Sequence, residues 1–263
     1  MNEKDLSICH RWFDDYTNGF HSQNQETEKN IILKLNHTYR VCDNITKIAK
    51  STGLRRIDMR LAKAIALFHD IGRFEQLQIF GSFNDRITVD HAALGLKVLG
   101  RSGILKDLPG RERYLLQRAI WLHNKFAIPD TEKADSLLYS RLIRDADKLD
   151  ILGLLTLHFD ERAQNPNSAL DYGLDDSNVF SMEAISDILQ GKMVRIAVLK
   201  NLSDIKLMYL SWAYDIYFPF TLSCIEENGY MERLIRHLPA DPEISRAVDH
   251  IKAYNEKRQR AFI

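Results

Sequence analysis

The chain has 263 residues, 45% of them hydrophobic and 27% charged. At about 150 residues per domain this is one to two domains, long enough to bury a sizeable core without disulfides. Lysine plus arginine and aspartate plus glutamate each number 36, so the net charge is zero; that excludes a chain-wide basic surface of the kind that grips nucleic acid. Cys9, Cys42 and Cys224 are far apart and form no C-x-x-C, so neither a disulfide framework nor a zinc knuckle is expected, and a reducing compartment fits. Residues 1–20 show no basic start followed by an apolar run, which gives no signal peptide. No stretch reaches the roughly 18 apolar residues of a membrane span. The expectation is a cytoplasmic protein with no membrane segment and no nucleic-acid surface.

In chain order, helical spacing dominates and strand-like alternation is scarce. Trp12, Phe13 and Tyr16 predict a short amphipathic helix within 5–20, and the polar stretch 21–30 reads as a loop. Ile31, Leu35, Val41, Ile45 and Ile48 predict a helix over 29–52, stopped by Gly53. Asp58 reads as the N-cap of a helix running to about Ile71, with Gly72 as its stop, and 74–89 as a loop. Helices follow over 90–101, 110–126 and 135–157. The segment 160–181 is polar and reads as a long connection, either a surface loop or a lid. A long apolar helix then begins at Ser203-Asp204 and is interrupted at Pro219, and Asp241-Pro242 starts a terminal helix. The chain therefore reads as one all-α unit, with a core over about 29–157 and a helical extension over about 181–263 packed on it.

Several polar residues fall on helix stripes that should face the core. His37 aligns with Val41, Ile45 and Ile48; His69, followed by Asp70, aligns with Leu61 and Ile65; His91 with Leu94 and Val98; His123 with Leu116, Ala119 and Ile120; Asp147 with Ile143, Ile151 and Leu154. One buried imidazole needs one hydrogen bond, but a group that includes carboxylates needs partners that satisfy all of it together. A divalent transition metal does so, and an imidazole–carboxylate set is open to Fe, Mn, Zn, Ni or Co. Three carboxylates compete on the last of these helices. Asp145 shares its face with Arg141, which suggests a surface ion pair; Asp150 lies on the flank of the stripe, placed to orient a histidine; Asp147 has the most inward face.

The run Leu67-Phe68-His69-Asp70-Ile71-Gly72-Arg73 resembles the defining motif of the HD-domain superfamily of metal-dependent phosphohydrolases. An earlier histidine, His37, and a later aspartate in Asp145-Ala146-Asp147-Lys148-Leu149 complete an H…HD…D order, in which Asp147 takes the family's position. His91 and His123 extend it to the H…HD…H…H…D order of the binuclear branches, and 72–91 is similar to a group of uncharacterised bacterial HD-domain proteins. The resemblance covers about residues 29–157, and no GYP motif follows His91.

The resemblance implies an HD-domain helical bundle with an N-terminal helix and a C-terminal helical extension. It implies that His37, His69, Asp70 and Asp147 hold one ion. Asp70, the catalytic residue, bridges to a second ion held by His91 and His123. Asp150 stands behind the ligands. A metal-activated hydroxide then hydrolyses a phosphomonoester or phosphodiester, nucleotide-like substrates included. Arg73 is where relatives keep a basic residue toward phosphate, although it also suits the end of its own helix; Lys125 and Lys148 are weaker substrate-binding candidates and would ordinarily be solvated. Mixed-valent di-iron oxygenases use the same ligand order, which makes O₂ chemistry the alternative, and a non-catalytic, metal-stabilised interaction module is the third reading. The expected partner is a small phosphoester, and a homo-oligomer is compatible with the sequence.

Overall fold

Residues recurring every three or four positions on apolar faces fold the chain into helices, and among the described residues there is no strand. The computed structural model describes residues 1–167 and 170–262. In order, the helices are α1 (Glu3–Asn18), α2 (Gln25–Ser51), α3 (Arg56–Phe68), α4 (Gly72–Phe80), α5 (His91–Ser102), α6 (Gly110–His123), α7 (Ala134–Glu161), α8 (Met182–Leu189), α9 (Leu202–Ser211), α10 (Pro219–Glu227), α11 (Tyr230–Ile235) and α12 (Pro242–Phe262). The all-α expectation is met. No helix among the described residues is long and apolar enough to cross a membrane.

The chain divides into two compact units, Met1–Asp150 and Ile151–Ile263. In the first, α3 is the central helix and packs against α1, α2 and α6. Its residues Ala64 to Phe68 are all buried, which small alanines alternating with Ile65, Leu67 and Phe68 allow. Phe13, Ile45, Ile48, Phe74, Leu99, Leu116 and Ile120 complete this core. In the second unit α9 is buried along its whole length. Its polar groups are satisfied internally: Asp204 accepts from the Ser181 amide at 2.7 Å and hydroxyl at 2.7 Å, and Lys206 donates to the His237 carbonyl at 2.7 Å.

Several boundaries differ from the sequence expectation, each for a local reason. The polar stretch 21–30 is not all loop: Asn24 caps α2, accepting from the amides of Glu26 and Thr27, so α2 starts at Gln25 with Glu26 and Glu28 in its first turn. Asp58 is inside α3 rather than its cap, paired with Arg55 at 2.7 Å. Gly72 does not end a helix; it opens α4, which replaces part of the expected 74–89 loop. Its role is packing. A Cβ on Gly72 would collide with the His91 carbonyl oxygen and the Gly95 amide, so α4 and α5 touch backbone to backbone. Pro219 likewise opens α10 at its first position instead of interrupting a longer helix.

Candidate metal centre

Five of the first unit's helices bring their polar residues to one place. His37 sits in the middle of α2 on the face of Val41, Ile45 and Ile48, all buried. His69 and Asp70 form the corner between α3 and α4. His91 is the first residue of α5, held there by the Asp90 cap. His123 is the last residue of α6, and Asp147 lies on α7. His37, His69, Asp70, His91 and His123 are buried.

These side chains form three overlapping groups able to hold a metal: His37–His69–Asp70, His69–His123–Asp147, and Asp70–His91–His123. The two Asp70 oxygens face different histidine pairs. Oδ2 lies 3.6 Å from His37 Nε2 and 3.7 Å from His69 Nε2, whereas Oδ1 lies 3.2 Å from His91 Nε2 and 3.8 Å from His123 Nε2. Asp147 Oδ1 joins the first pair, 3.2 Å from His37 Nε2 and 3.8 Å from His69 Nε2.

Backbone contacts settle which nitrogen carries the proton in His69 and His123. His69 Nδ1 donates to the Ala66 carbonyl at 2.7 Å and His123 Nδ1 to the Ile120 carbonyl at 2.6 Å. A carbonyl only accepts, so in the neutral ring Nε2 is left with a lone pair. His37 Nδ1 faces Asp150 Oδ2 at 2.7 Å, and His91 Nδ1 faces Asp85 Oδ2 at 2.6 Å, so both of these rings have a carboxylate behind them as well as one in front. Four Nε2 atoms therefore point inward, those of His69 and His123 as lone pairs, and they meet in pairs: His37 to His69 at 3.2 Å, His91 to His123 at 2.9 Å. Two imidazole nitrogens that close, both facing inward beside carboxylates, would each need a proton or a cation between them. A cation between them removes the conflict, so the donor set fits a transition metal.

The electrostatics agree with ligands kept in their binding forms. Burial pushes the His69 pKa down to about 4, and burial lowers His123 as well, so both imidazoles are neutral near pH 7. Burial opposes ionisation of Asp70, but Lys34 and the neighbouring histidines outweigh it and hold the carboxyl well below its ordinary range. Asp147 is held below its ordinary value against its own burial, chiefly by the hydrogen bond with His37. His37 is the exception. Burial and Lys34 lower its pKa, yet hydrogen bonds to Asp147 and Asp150 leave it raised.

Of the other residues singled out in the sequence, Asp150 backs His37 and is itself gripped by Arg40 at 2.6 and 3.0 Å. Arg73 Nη1 donates to Gln76 at 2.8 Å, to the Phe83 carbonyl at 2.5 Å and to Asp85 at 2.7 Å. Its buried Nε has no hydrogen-bond partner and lies 3.5 Å from Asp70 Oδ1. Lys125 pairs with Asp90 and stacks 4.0 Å from the Trp121 ring centroid. Lys148 is buried on α7 next to Asp147. Asp145 is completely buried, which corrects the expectation of a surface ion pair.

Sequence reasoning missed four supporting residues. Lys34, whose Nζ is 2.7 Å from Asp70 Oδ2, is three residues before His37 and so on its face; that spacing could have found it. Asp85 stands in the loop after α4, where no periodicity marks it. Gln76, fully buried, donates to Asp85 at 2.9 Å, Thr88 at 2.8 Å and the Val89 carbonyl at 3.0 Å, fixing that loop. Arg144, also buried, donates to the carbonyls of Leu122 at 2.9 Å, His123 at 3.2 Å and Phe126 at 3.2 Å, which secures the end of α6 that carries His123.

Residues 35–152 match the family model of the HD domain. No curated protein and no solved structure matches the chain.

Proposed function

Given that residues 35–152 belong to the HD-domain superfamily, we propose that the chain is a phosphohydrolase working at a binuclear metal site and cleaving phosphomonoesters or phosphodiesters. His37, His69, Asp70 and Asp147 would hold one divalent ion; Asp70, His91 and His123 would hold the second. The observation that carries this reading is the orientation of Asp70, whose two carboxylate oxygens address separate histidine pairs. When bound, such ions would lower the pKa of water and take up charge on phosphoryl oxygens.

The chain's own residues supply the rest. Asp150 and Asp85 retain the Nδ1 protons of His37 and His91, keeping each Nε2 free for a ligand bond. Arg73 holds the 83–85 loop with one nitrogen and keeps Nε available toward Asp70. Lys125 and Lys148 are further candidate contacts for substrate phosphate. Metal-free preparations reloaded with Mn²⁺, Fe²⁺, Zn²⁺, Ni²⁺ or Co²⁺ should hydrolyse members of a phosphoester panel with at least one ion, at two ions per chain. Wild-type protein with no hydrolysis under any ion, together with O₂ uptake by the iron form, would replace the reading with the oxygenase one.

A further inference from the structure

We propose that Lys34 is the site's phosphate-binding cation: its ammonium, which lies on Asp70, pairs with a phosphoryl oxygen of the substrate once metal engages that carboxylate. The proposal rests on the phosphohydrolase reading and extends it to the substrate's charge.

Three observations place Lys34 in this role. Its Nζ is 2.7 Å from Asp70 Oδ2, the oxygen that faces His37 and His69, so lysine and metal compete for one oxygen atom. Its side chain is 17% exposed, so the ammonium has solvent on one side and three rotatable donors with which to leave Asp70. The Phe83 ring, 5.4 Å away, flanks it without tying it by a hydrogen bond. Arg73 flanks the same ring at 5.9 Å but spends Nη1 on Gln76, Asp85 and a backbone carbonyl. Of the two cations on Phe83, Lys34 has the freer head group.

Charge decides what such a site prefers. Asp150 is neutralised by Arg40 and Asp85 by Arg73. Asp70 and Asp147 remain as the ligand set's own negative charges. A single divalent ion would cancel those two, and Lys34 would be what makes the centre positive. With two ions the centre is positive in any case, and Lys34 adds to it. A dianionic terminal phosphate gains from both states, and gains more than a monoanionic diester. The substrate class that follows is a phosphomonoester or a chain-terminal phosphate.

The test compares wild type with Lys34→Met and Lys34→Arg in the full chain, using thermal melting to verify folding. Calorimetric titration of metal-stripped protein with Mn²⁺ alone should show Lys34→Met binding the ion roughly tenfold more tightly, because its competitor for Asp70 is gone. Titration of the Mn²⁺-loaded protein with inorganic phosphate should show affinity falling roughly tenfold or more in Lys34→Met and largely regained in Lys34→Arg. The phosphate loss should be larger at one equivalent of Mn²⁺ than at two. Where turnover is measurable, KM should rise for p-nitrophenyl phosphate far more than for bis(p-nitrophenyl) phosphate. Phosphate affinity unchanged in Lys34→Met, or absent in wild type, overturns the proposal. Phosphate binding that depends on Lys34 in a protein that hydrolyses no phosphoester supports the proposal for Lys34 and counts against the hydrolase reading, so the two fail separately.

Discussion

Gly72 meets Gly95 with no side chain between them, and that contact places His91 of α5 beside Asp70 of the α3–α4 corner. The glycine of the His-Asp-Ile-Gly run is therefore a packing residue whose effect reaches the metal ligands. Gly72→Ala forces the α4 and α5 backbones apart. It should cost about 2–3 kcal/mol in urea unfolding, as overpacking of a rigid contact does. It should also weaken Mn²⁺ binding at the Asp70–His91–His123 position more than at the other. Equal loss at both positions would mean that the contact serves stability alone.

Asp70→Ala removes the carboxylate that both histidine pairs address. The expected result is loss of bound metal and of phosphoesterase activity with helical content intact, since the helices carry their own apolar faces. Metal analysis, circular dichroism and steady-state rates check it together. Hydrolysis at the wild-type rate by metal-free Asp70→Ala would reject the metallohydrolase mechanism.

Asp85→Asn and Asp150→Asn should separate the two metal positions. An amide in place of a carboxylate weakens the hold on the imidazole Nδ1 proton and lowers the ligand's basicity, an effect that typically costs about 10–100-fold in metal affinity. Asp85→Asn should act on the ion bound by His91, and Asp150→Asn on the ion bound by His37. Stepwise Co²⁺ titration, followed by its visible absorption, reads which step shifts. If either variant moves both steps alike, the positions are not independent.

Acid should destabilise the metal-stripped protein before the carboxylates protonate. His69 has its pKa depressed from 6.5 to about 4 by burial, so between those values the unfolded chain binds a proton that the folded chain refuses. Stability from this group is complete above pH 6.5 and is lost as pH falls toward 4, on the order of 3 kcal/mol in all. His123 is shifted in the same direction. The raised His37 works oppositely, but its contribution is gained above pH 6.5, as pH falls, and is complete by there, so it does not blunt the decline below. Asp70 and Asp147 withdraw their contribution only below the ordinary carboxylate range. Urea midpoints at pH 7, 5.5 and 4.5 should fall in that order, with a shallower decline in His69→Asn. A flat profile over this range would contradict the neutral, buried His69.

The sequence made the inward-facing part of this site legible because helix periodicity reports which side of a helix faces the core. His37, His69, His123 and Asp147 stand on apolar stripes, and the structure brings all four against Asp70 or one another. What periodicity cannot report is the support that comes from loops and corners. Asp85 orients His91 from irregular backbone, and Gln76, which fixes that loop, sits on a short helix whose apolar face is weakly marked. Glycine ends many helices, so Gly72 reads as a stop; that it begins one follows from a contact with Gly95 that local sequence does not encode. The Arg141 neighbour suggests a surface position for Asp145, which is buried.

The four outward nitrogen contacts also divide the histidines in a second way. His69 and His123 each end a helix region and bond the carbonyl three residues back, a group the helix terminus leaves free. Their tautomer is written into the backbone, and no side-chain substitution elsewhere releases it. His37 and His91 lean on carboxylates instead, and a carboxylate makes its imidazole the stronger electron donor. Each pair thus joins one ligand fixed by the backbone to one tunable through a carboxylate. Any ion received by such a pair would be held unevenly, and its affinity would be adjustable at Asp150 or Asp85 without altering a single atom that touches it.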